Sequence, residues 1–391
     1  MHRTIRVFLG LSFLFYFGIS LTTTTYSLFL LSNGLDMLEV NLVNTIFHLS
    51  FFFLEIPTGV VADIFGRKVS YLISIFLWGV TAFVYASSDT FWGFALAEFL
   101  AAIAGTCASG AFDAWAIDRL SNEGYKGSLS QLLGQKNKLK SLAMLLGGVL
   151  GGYLGSVNLA LPWMVLGAFM FFKVLLTFFF MQEEWEKKDK EFHLWRSLKE
   201  TLRASAVYIR KSQSFRQVIL WDAAFVFALQ AANMQWQPFF LHMLSSLELL
   251  SFVKAGIAIS LFLGAELLVR LKGRIPARRL IPALLFGIGS LVALCTLSLG
   301  WVFSLSTFMV HELLRGMYYP ALMAYLNEDM PAKQRATINS VASMIRGLFG
   351  ALGLVFSGVC AKHLGISSTW MISGGILALL GLFFLKRKPT I

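Results

Sequence analysis

The sequence predicts an all-α integral membrane protein, with twelve transmembrane helices in two pseudo-symmetric six-helix bundles. Composition, the lengths of the apolar runs and the placement of positive charge support this fold class. Of the 391 residues, 57% are hydrophobic and 14% are charged, whereas about 25% of the residues in a soluble domain are charged. A chain with so little polar surface belongs in a lipid bilayer.

Twelve apolar runs are each long enough to cross about 30 Å of hydrocarbon, which takes roughly 20 helical residues. They lie near 5–31, 40–60, 69–88, 90–115, 140–158, 160–181, 216–242, 250–270, 280–300, 302–326, 336–360 and 366–385. The first run is too long for a removable signal peptide and has no small-residue cleavage site, so we expect it to be retained. The three cysteines lie inside these runs at no metal-ligand spacing, so the sequence predicts no cofactor and no metal.

Lysine and arginine are concentrated in alternate connections between the runs. The segments 32–39, 87–90, 243–249 and 299–302 contain none. Positive residues stay on the cytoplasmic side of a membrane during insertion. This pattern predicts a multi-pass protein of the cell inner (plasma) membrane with both termini in the cytoplasm. It also accounts for the net charge of +12 without a nucleic-acid partner.

The chain divides at its long connection. We predict an N-terminal six-helix bundle over 1–181, a cytoplasmic linker with an amphipathic helix over 182–215, and a C-terminal six-helix bundle over 216–391. A solvated linker lying against lipid headgroups is the simpler alternative for the middle segment. A shift of 211 positions places Glu55 on Glu266, which supports two related halves.

A polar cluster lies on the short loop after the second run. It reads G-x-x-x-D-x-x-G-R-K and consists of Gly59, Asp63, Gly66, Arg67 and Lys68. The glycines permit a close helix approach and a tight turn. The carboxylate of Asp63 suits the positive N-terminus of a neighbouring helix.

This cluster resembles the loop between helices 2 and 3 of the major facilitator superfamily of secondary transporters. The resemblance implies that Asp63 meets the start of the eleventh helix, near Arg335, and that Arg67 pairs with Asp118. These residues would form a conformational latch that closes when the cavity faces outward. The alternative is that Arg67 and Lys68 act only as topological anchors.

The longer run E-I-P-T-G-V-V-A-D, which begins at Glu55, resembles a bacterial branch of drug and metabolite exporters in this superfamily. The fourth helix has Ala101 where proton-linked antiporters of the superfamily have an arginine, and the fifth helix lacks their Gly-Pro pair. These two departures mean that the antiporter motifs themselves do not predict proton antiport. Efflux and proton antiport are expected only by analogy with the exporter branch.

Several carboxylates lie inside the apolar runs, where an ionised group costs a few kcal/mol and is usually paired or functional. The proton-coupling candidates are Glu312, Asp222, Glu266, Asp113 and Glu55. Glu312 and Arg315 are three residues apart on one helical face, with His311 beside them. A permanent ion pair is the alternative for Glu312. Structural pairing, with Arg346 as one partner, is the alternative for Asp222, Glu266 and Asp113.

Polar and aromatic residues inside the runs are candidates for lining a substrate cavity. They are Arg315, Arg346, Lys173, Gln230, Asn233, Trp236, Tyr318 and Tyr26. The alternative is that they satisfy broken helices and interfacial positions, and that Lys173 is paired or reaches toward the membrane surface.

Together these features predict a monomeric secondary active transporter that moves a small amphipathic solute by alternating access in proton-coupled efflux. Its partners would be a small-molecule substrate, protons and the lipid bilayer. Uptake or exchange of a polar metabolite is the first alternative, and a non-transporting membrane receptor is the second. The chain has no Ser/His/Asp set, phosphate-binding glycine loop or Walker motif, so we expect neither an enzyme nor direct coupling to ATP.

Overall fold

The computed structural model describes residues 3–183, 212–271, 274–328 and 335–386. Within these ranges the regular secondary structure is α-helical, and no strand occurs among the described residues. In chain order the helices are α1 (Arg3–Ser20), α2 (Tyr26–Ser32), α3 (Met37–Phe65), α4 (Arg67–Ser87), α5 (Phe91–Ala108), α6 (Ala111–Asn122), α7 (Leu129–Val157), α8 (Leu161–Phe180), α9 (Gln213–Leu244), α10 (Leu247–Leu271), α11 (Ala277–Leu294), α12 (Trp301–Glu328) and α13 (Arg335–Lys386). The predicted all-α class is confirmed.

Ten segments of the described chain are long and apolar enough to cross a membrane, judged by length and composition. One of them, Ala342–Lys386, contains Gly365 with a φ of 82°, where the helix is interrupted, so it holds two spans. α12 is not among the ten, although its 28 residues exceed the roughly 20 needed for a span. Dividing α13 at Gly365 and including α12 gives the twelve spans that the sequence predicts.

The first predicted run is interrupted rather than continuous. α1 ends at Ser20 and α2 begins at Tyr26, and the residues between them form turns with bonds such as Thr23 N–H to Ser20 O at 3.2 Å. The threonine hydroxyls compete for backbone carbonyls, as Thr23 Oγ1 donates to Ser20 O at 2.9 Å. β-branched residues that bond to nearby backbone groups disfavour a regular helix, and four threonines in succession account for the break.

The fourth predicted run is also divided. α5 ends at Ala108 and α6 begins at Ala111, with Gly110 at a φ of 73° between them. A positive φ of this size is accessible to glycine at little cost. The second piece, α6, continues to Asn122 and carries both Asp113 and Asp118.

The described residues group into two compact units. The first comprises residues 3–35, 46–183 and 247–254, and the second comprises the other described residues. In the first unit α4 packs against α5 and α8, and α1 packs against α7. In the second unit α13 packs against α9 and α11. The amphipathic helix predicted in the linker falls on residues 184–211, which lie outside the described ranges.

Glycines bring helices together inside each unit. In the first, a Cβ on Gly151 of α7 would lie 1.7 Å from the carbonyl oxygen of Leu21. In the second, a Cβ on Gly264 of α10 would lie 1.9 Å from the carbonyl oxygen of Leu313 in α12. Small residues permit this backbone approach between membrane helices. The second contact lies near the polar residues of α12.

Candidate functional site

The second unit contains a cavity of about 420 Å³, within the range of pockets that bind small molecules. Its lining residues come from α9, α10, α12 and α13. They are Asp222, Phe225, Val226, Leu229, Gln230, Asn233, Leu261, Arg315, Gly316, Tyr319 and Arg346. The α9 residues among them recur at helical spacing along one face.

An ion pair between α9 and α13 lies at the wall of this cavity. The Arg346 Nε and Nη2 groups donate to Asp222 Oδ2 at 2.9 and 2.6 Å. Arg346 Nη1 donates to the Tyr319 hydroxyl at 3.1 Å, and its guanidinium lies 4.7 Å from the centre of that ring. The Asp222 side chain is 8% exposed. The pairing of Asp222 with Arg346, suggested by the sequence, is present in the structure.

A second ion pair lies on α12. Arg315 Nη1 donates to both oxygens of Glu312, at 3.1 and 3.3 Å. Glu312 is 2% exposed, whereas the Arg315 side chain is 28% exposed. Arg315 therefore lines the cavity, and Glu312 lies buried beside it. This i,i+3 contact is the one that the sequence spacing predicts.

His311 is the third member of this α12 cluster. Its Nδ1 atom lies 3.7 Å from Glu312 Oε1, and the side chain is fully buried. Neither ring nitrogen has a hydrogen-bond partner among the described residues. The imidazole stacks on Phe308, with ring centres 5.2 Å apart. The cluster therefore places a carboxylate, a guanidinium and an imidazole within one helical turn.

The predicted cavity residues separate into two groups. Gln230 and Asn233 line the cavity together with Arg315 and Arg346. Trp236 and Tyr318 do not line it: Trp236 is 6% exposed and Tyr318 is fully buried. The Tyr318 ring stacks on Phe225 at 3.9 Å between centres, so Tyr318 packs inside the second unit, and Trp236 is buried away from the cavity lining.

Three of the predicted proton-coupling carboxylates lie outside the cavity. Glu266 is 46% exposed and accepts a hydrogen bond from Arg270, one turn along α10. Asp113 pairs with Lys136 in the first unit and is 41% exposed. Glu55 lies on α3, partly exposed. Glu266 and Asp113 thus differ from the buried carboxylates Asp222 and Glu312, and their assignment as proton-coupling sites stays a prediction.

Two predicted cavity residues belong to the first unit. Lys173 is fully buried, and its Nζ donates to the Tyr71 hydroxyl at 2.9 Å. The Tyr26 hydroxyl donates to Glu98 Oε1 at 2.6 Å, and Tyr85 donates to the same atom at 2.5 Å. Neither Lys173 nor Tyr26 lines the cavity. Glu98 was not among the sequence candidates, although it is a lone carboxylate within an apolar run.

The polar cluster expected on a loop lies mostly in helices, because Gly66, with a φ of 93°, is the one residue between α3 and α4. Arg67 Nη1 lies 2.6 Å from Asp118 Oδ2, so the predicted ion pair is present. Lys68 Nζ donates to the carbonyl of Phe178 at 2.8 Å. Glu183, which sequence reasoning missed, accepts bonds from the backbone N–H groups of Arg67 and Lys68, each at 2.9 Å. Its carboxylate caps the positive N-terminus of α4.

Two other expectations for this loop have different outcomes. A Cβ at Gly59 would meet no described atom within 4 Å, so the close approach expected there is absent among the described residues. The predicted meeting of Asp63 with the start of the eleventh helix involves side chains outside those described, and it stays a prediction.

Comparison with known proteins identifies the fold. A family model described as Major Facilitator Superfamily matches residues 8–354. The chain is 21% identical over 382 residues to the uncharacterized MFS-type transporter YxaM of Bacillus subtilis (strain 168), covering 94% of this chain and 91% of that protein.

Solved structures show the same architecture. The crystal structure of nucleoside transporter NupG matches with a TM-score of 0.81 at 17% identity, covering 99% of this chain and 100% of that chain. A D-xylose-proton symporter matches with a TM-score of 0.70 at 15% identity, covering 99% and 97%. The predicted twelve-helix fold is confirmed. At these identities the structures show the fold alone.

Proposed function

Because this chain belongs to the major facilitator superfamily, we propose that it moves a small amphipathic solute by alternating access and couples that movement to protons. Membership makes it a multi-pass membrane transporter rather than an enzyme. The observation that carries the proposal is the cavity of about 420 Å³ with two carboxylate–guanidinium pairs at or beside its wall. Ionisable groups at membrane depth are retained where they do chemical work or bind.

The lining of the cavity suits an amphipathic solute. Phe225, Leu229 and Leu261 supply apolar surface, while Gln230 and Asn233 supply amide groups. Sites for small molecules combine mostly apolar walls with a few polar groups that fix orientation. A solute with an apolar body and one polar or charged group matches this division.

Glu312 is the proposed proton site. A buried carboxylate is stable when it is paired or when it carries a proton, since an isolated charge in a low-dielectric environment is costly. Glu312 is 2% exposed and is bonded to Arg315, which is more accessible. Protonation of Glu312 would release Arg315 to the cavity. Glu312 thus has two states: ionised and bonded to Arg315, or protonated with Arg315 released. The two states differ in the charge that the cavity presents to the solute, and coupling of solute to proton requires such a difference.

The direction of transport has two candidates. The resemblance of the α3 sequence to exporters supports efflux, in which solute and proton compete and are exchanged. The two arginines at the cavity wall support a second candidate, uptake of a polar metabolite together with a proton. Exchange requires that proton and solute exclude one another, whereas joint transport requires that each strengthens the binding of the other.

Proteoliposomes with a pH-sensitive dye inside test this proposal. The solute panel comprises uridine, D-xylose, benzenesulfonate and phenethylammonium, with protein-free vesicles as the control. Joint uptake predicts that a solute added outside acidifies the lumen, and exchange predicts that it makes the lumen alkaline. Absence of both solute and proton movement for the whole panel would overturn the transport proposal and favour a receptor.

We also propose that the protein is a monomer in the plasma membrane with both termini in the cytoplasm. The alternation of basic and charge-free connections supports this orientation. Labelling of single cysteines added at either terminus with a membrane-impermeant reagent tests it. Protection of both termini in intact cells is the expected result, and labelling of either one in intact cells contradicts it.

A further inference from the structure

We propose that the solute carries an anionic group, a carboxylate or a comparable oxyanion, which binds Arg315 when Glu312 is protonated. This inference rests on the proposed function, because it names the class of solute for the same cavity. It implies that proton and solute bind together.

The hydrogen bonds of the two arginines show which one is available. Arg346 uses Nε, Nη1 and Nη2 in its bonds to Asp222 and Tyr319. Arg315 uses only Nη1, in its bonds to Glu312. The Nε–H and Nη2–H groups of Arg315 have no partner among the described residues. A guanidinium edge of this kind matches the two oxygens of a carboxylate.

Two amides add donors to the same cavity. Gln230 is 6% exposed, lines the cavity and has no hydrogen-bond partner among the described residues. Asn233, three residues further along α9, also lines it. Because both side chains line the cavity, their amide groups are available to bind a ligand there. The amide N–H groups and the free edge of Arg315 together form a set of donors, which an oxyanion satisfies.

The net charge at the cavity wall links binding of the anion to protonation of Glu312. Asp222 and Arg346 neutralise one another, as do Glu312 and Arg315. One proton on Glu312 leaves a net positive charge at the wall, which an anion neutralises and a cation increases. An uncompensated charge is costly in a poorly solvated site. Binding of the anion therefore raises the affinity of Glu312 for the proton, and by reciprocity the proton raises the affinity for the anion.

Several other ionisable groups on α12 and on the other helices of the second unit are candidates for the same role. They are His311, Tyr318 and Tyr319 on α12, Asp222 on α9, Glu266 and Arg270 on α10, Arg278 and Arg279 on α11, and Arg346 on α13. Glu266 and Arg270 pair with one another at an exposed position, and Arg278 donates to the Tyr325 hydroxyl. His311 is the neighbour that lies near enough to exchange a proton with Glu312, so it requires its own variant.

The test measures binding by the purified full-length protein in detergent. The probes are benzoate, phenylacetate, indole-3-acetate and octanoate, each compared with its neutral amide by calorimetry and by proton uptake in weak buffer near pH 7. At least one carboxylate is expected to bind about tenfold more tightly than its amide, with uptake of about one proton per molecule bound. Its affinity should fall by up to about tenfold per pH unit where Glu312 is mostly ionised.

Variants assign the effect to the two residues. Glu312→Gln should bind the same carboxylate without proton uptake and without pH dependence, while Arg315→Gln should lose about tenfold or more in affinity. Arg315→Lys keeps the positive charge but lacks the planar edge of the guanidinium group. It replaces Arg315→Gln in the binding test if Arg315→Gln does not fold. Glu266→Gln and Arg270→Gln change a comparable ion pair outside the cavity and should bind like the wild type. His311→Asn should retain proton uptake.

The proposal would be overturned by carboxylates that bind no more tightly than their amides, or by carboxylate binding that releases protons. Retention of pH-dependent proton uptake by Glu312→Gln would also overturn it. These failures differ from failure of the proposed function. If uncharged or cationic solutes still move protons in the proteoliposomes, coupled transport stands and only the anionic class is wrong.

Discussion

Buried ionisable side chains are held in different ways in the two units. In the second unit Asp222 and Glu312 are bonded to guanidinium groups at the wall of a cavity. In the first unit Glu98 accepts bonds from two tyrosine hydroxyls, and Lys173 donates to a third. Both units therefore bury charge-bearing groups, but with different partners.

The tyrosines of the first unit are fixed by aromatic packing. Tyr85 stacks on Trp163 with ring centres 3.9 Å apart, and Tyr71 stacks on Phe112 at 4.2 Å. A hydroxyl on a packed ring stays in place when the proton on its partner changes, whereas a guanidinium on a long side chain can move to a solute. We therefore expect the first unit to act as a scaffold and the second unit to respond to protons and solute.

The largest predicted effect on stability breaks the Asp222–Arg346 pair. Arg346→Ala leaves an 8% exposed carboxylate without its cation, and such a loss costs about 3 kcal/mol or more. Thermal unfolding in detergent measures the change. Arg270→Ala, at a 75% exposed position, is the control and should have little effect. Adding Asp222→Asn to Arg346→Ala should recover part of the loss. Equal losses of stability in Arg346→Ala and Arg270→Ala would contradict this prediction.

Replacement of Lys173 tests whether the first unit is only a scaffold. Lys173→Met keeps most of the unbranched side chain, removes a hydrogen bond worth about 1 kcal/mol and removes the cost of a buried charge. We expect a change in stability of about 1 kcal/mol or less, with transport retained. Lys138→Met, at an exposed position of α7, is the matched control. If Lys173→Met abolishes proton-coupled transport while still folding, the first unit also takes part in the chemistry.

The Arg67–Asp118 pair should matter to rate rather than to stability. Asp118 is 62% exposed, and exposed pairs contribute about 0.2–1 kcal/mol. If the predicted latch operates, Arg67→Ala and Asp118→Asn should each slow transport, and the double variant should be no slower than the single ones. Transport rates in proteoliposomes and unfolding temperatures distinguish the two effects. Wild-type rates in both single variants would leave the loop as a topological anchor.

The smallest predicted effect concerns Asp36, in the connection before α3. Lys362 Nζ lies 2.8 Å from Asp36 Oδ2. Burial raises the pKa of Asp36, but the hydrogen bonds from Lys362 and from the Glu39 N–H outweigh it, and the pKa is lowered overall. The contribution to stability is then present above the unfolded pKa of about 4 and is lost as the pH falls through the lower folded value. The difference in unfolding temperature between wild type and Asp36→Asn should be constant near neutral pH and disappear in acid. A difference in unfolding temperature that grows on acidification would contradict a lowered pKa for Asp36.

The number of spans could be predicted from the sequence because span length and hydropathy are local properties. The breaks within two of those runs could not, since the threonines near Thr23 and the turn at Gly110 lie inside segments that are apolar on average. The Glu312–Arg315 contact was predictable because both residues lie on one helix. The capping of α4 by Glu183 was not, because its carboxylate joins a backbone N–H group 115 positions away.

The spacing of residues in the sequence does not show which of the membrane carboxylates is buried. Glu266 and Asp222 both lie in apolar runs, yet one is 46% exposed and the other 8%. Which face of a helix meets a neighbour depends on tertiary packing. The same limit explains Trp236 and Tyr318, which are the right residue types for a cavity wall but are buried and do not line the cavity.

The assignment of Glu312 as the proton site is tested most directly by accumulation of solute in proteoliposomes under an imposed pH gradient. The solute is the panel member that moves protons most strongly in the wild type. Glu312→Gln should lose gradient-driven accumulation by about tenfold or more while it retains solute exchange without a gradient. Glu266→Gln should behave like the wild type. Accumulation by Glu312→Gln equal to that of the wild type would contradict the account.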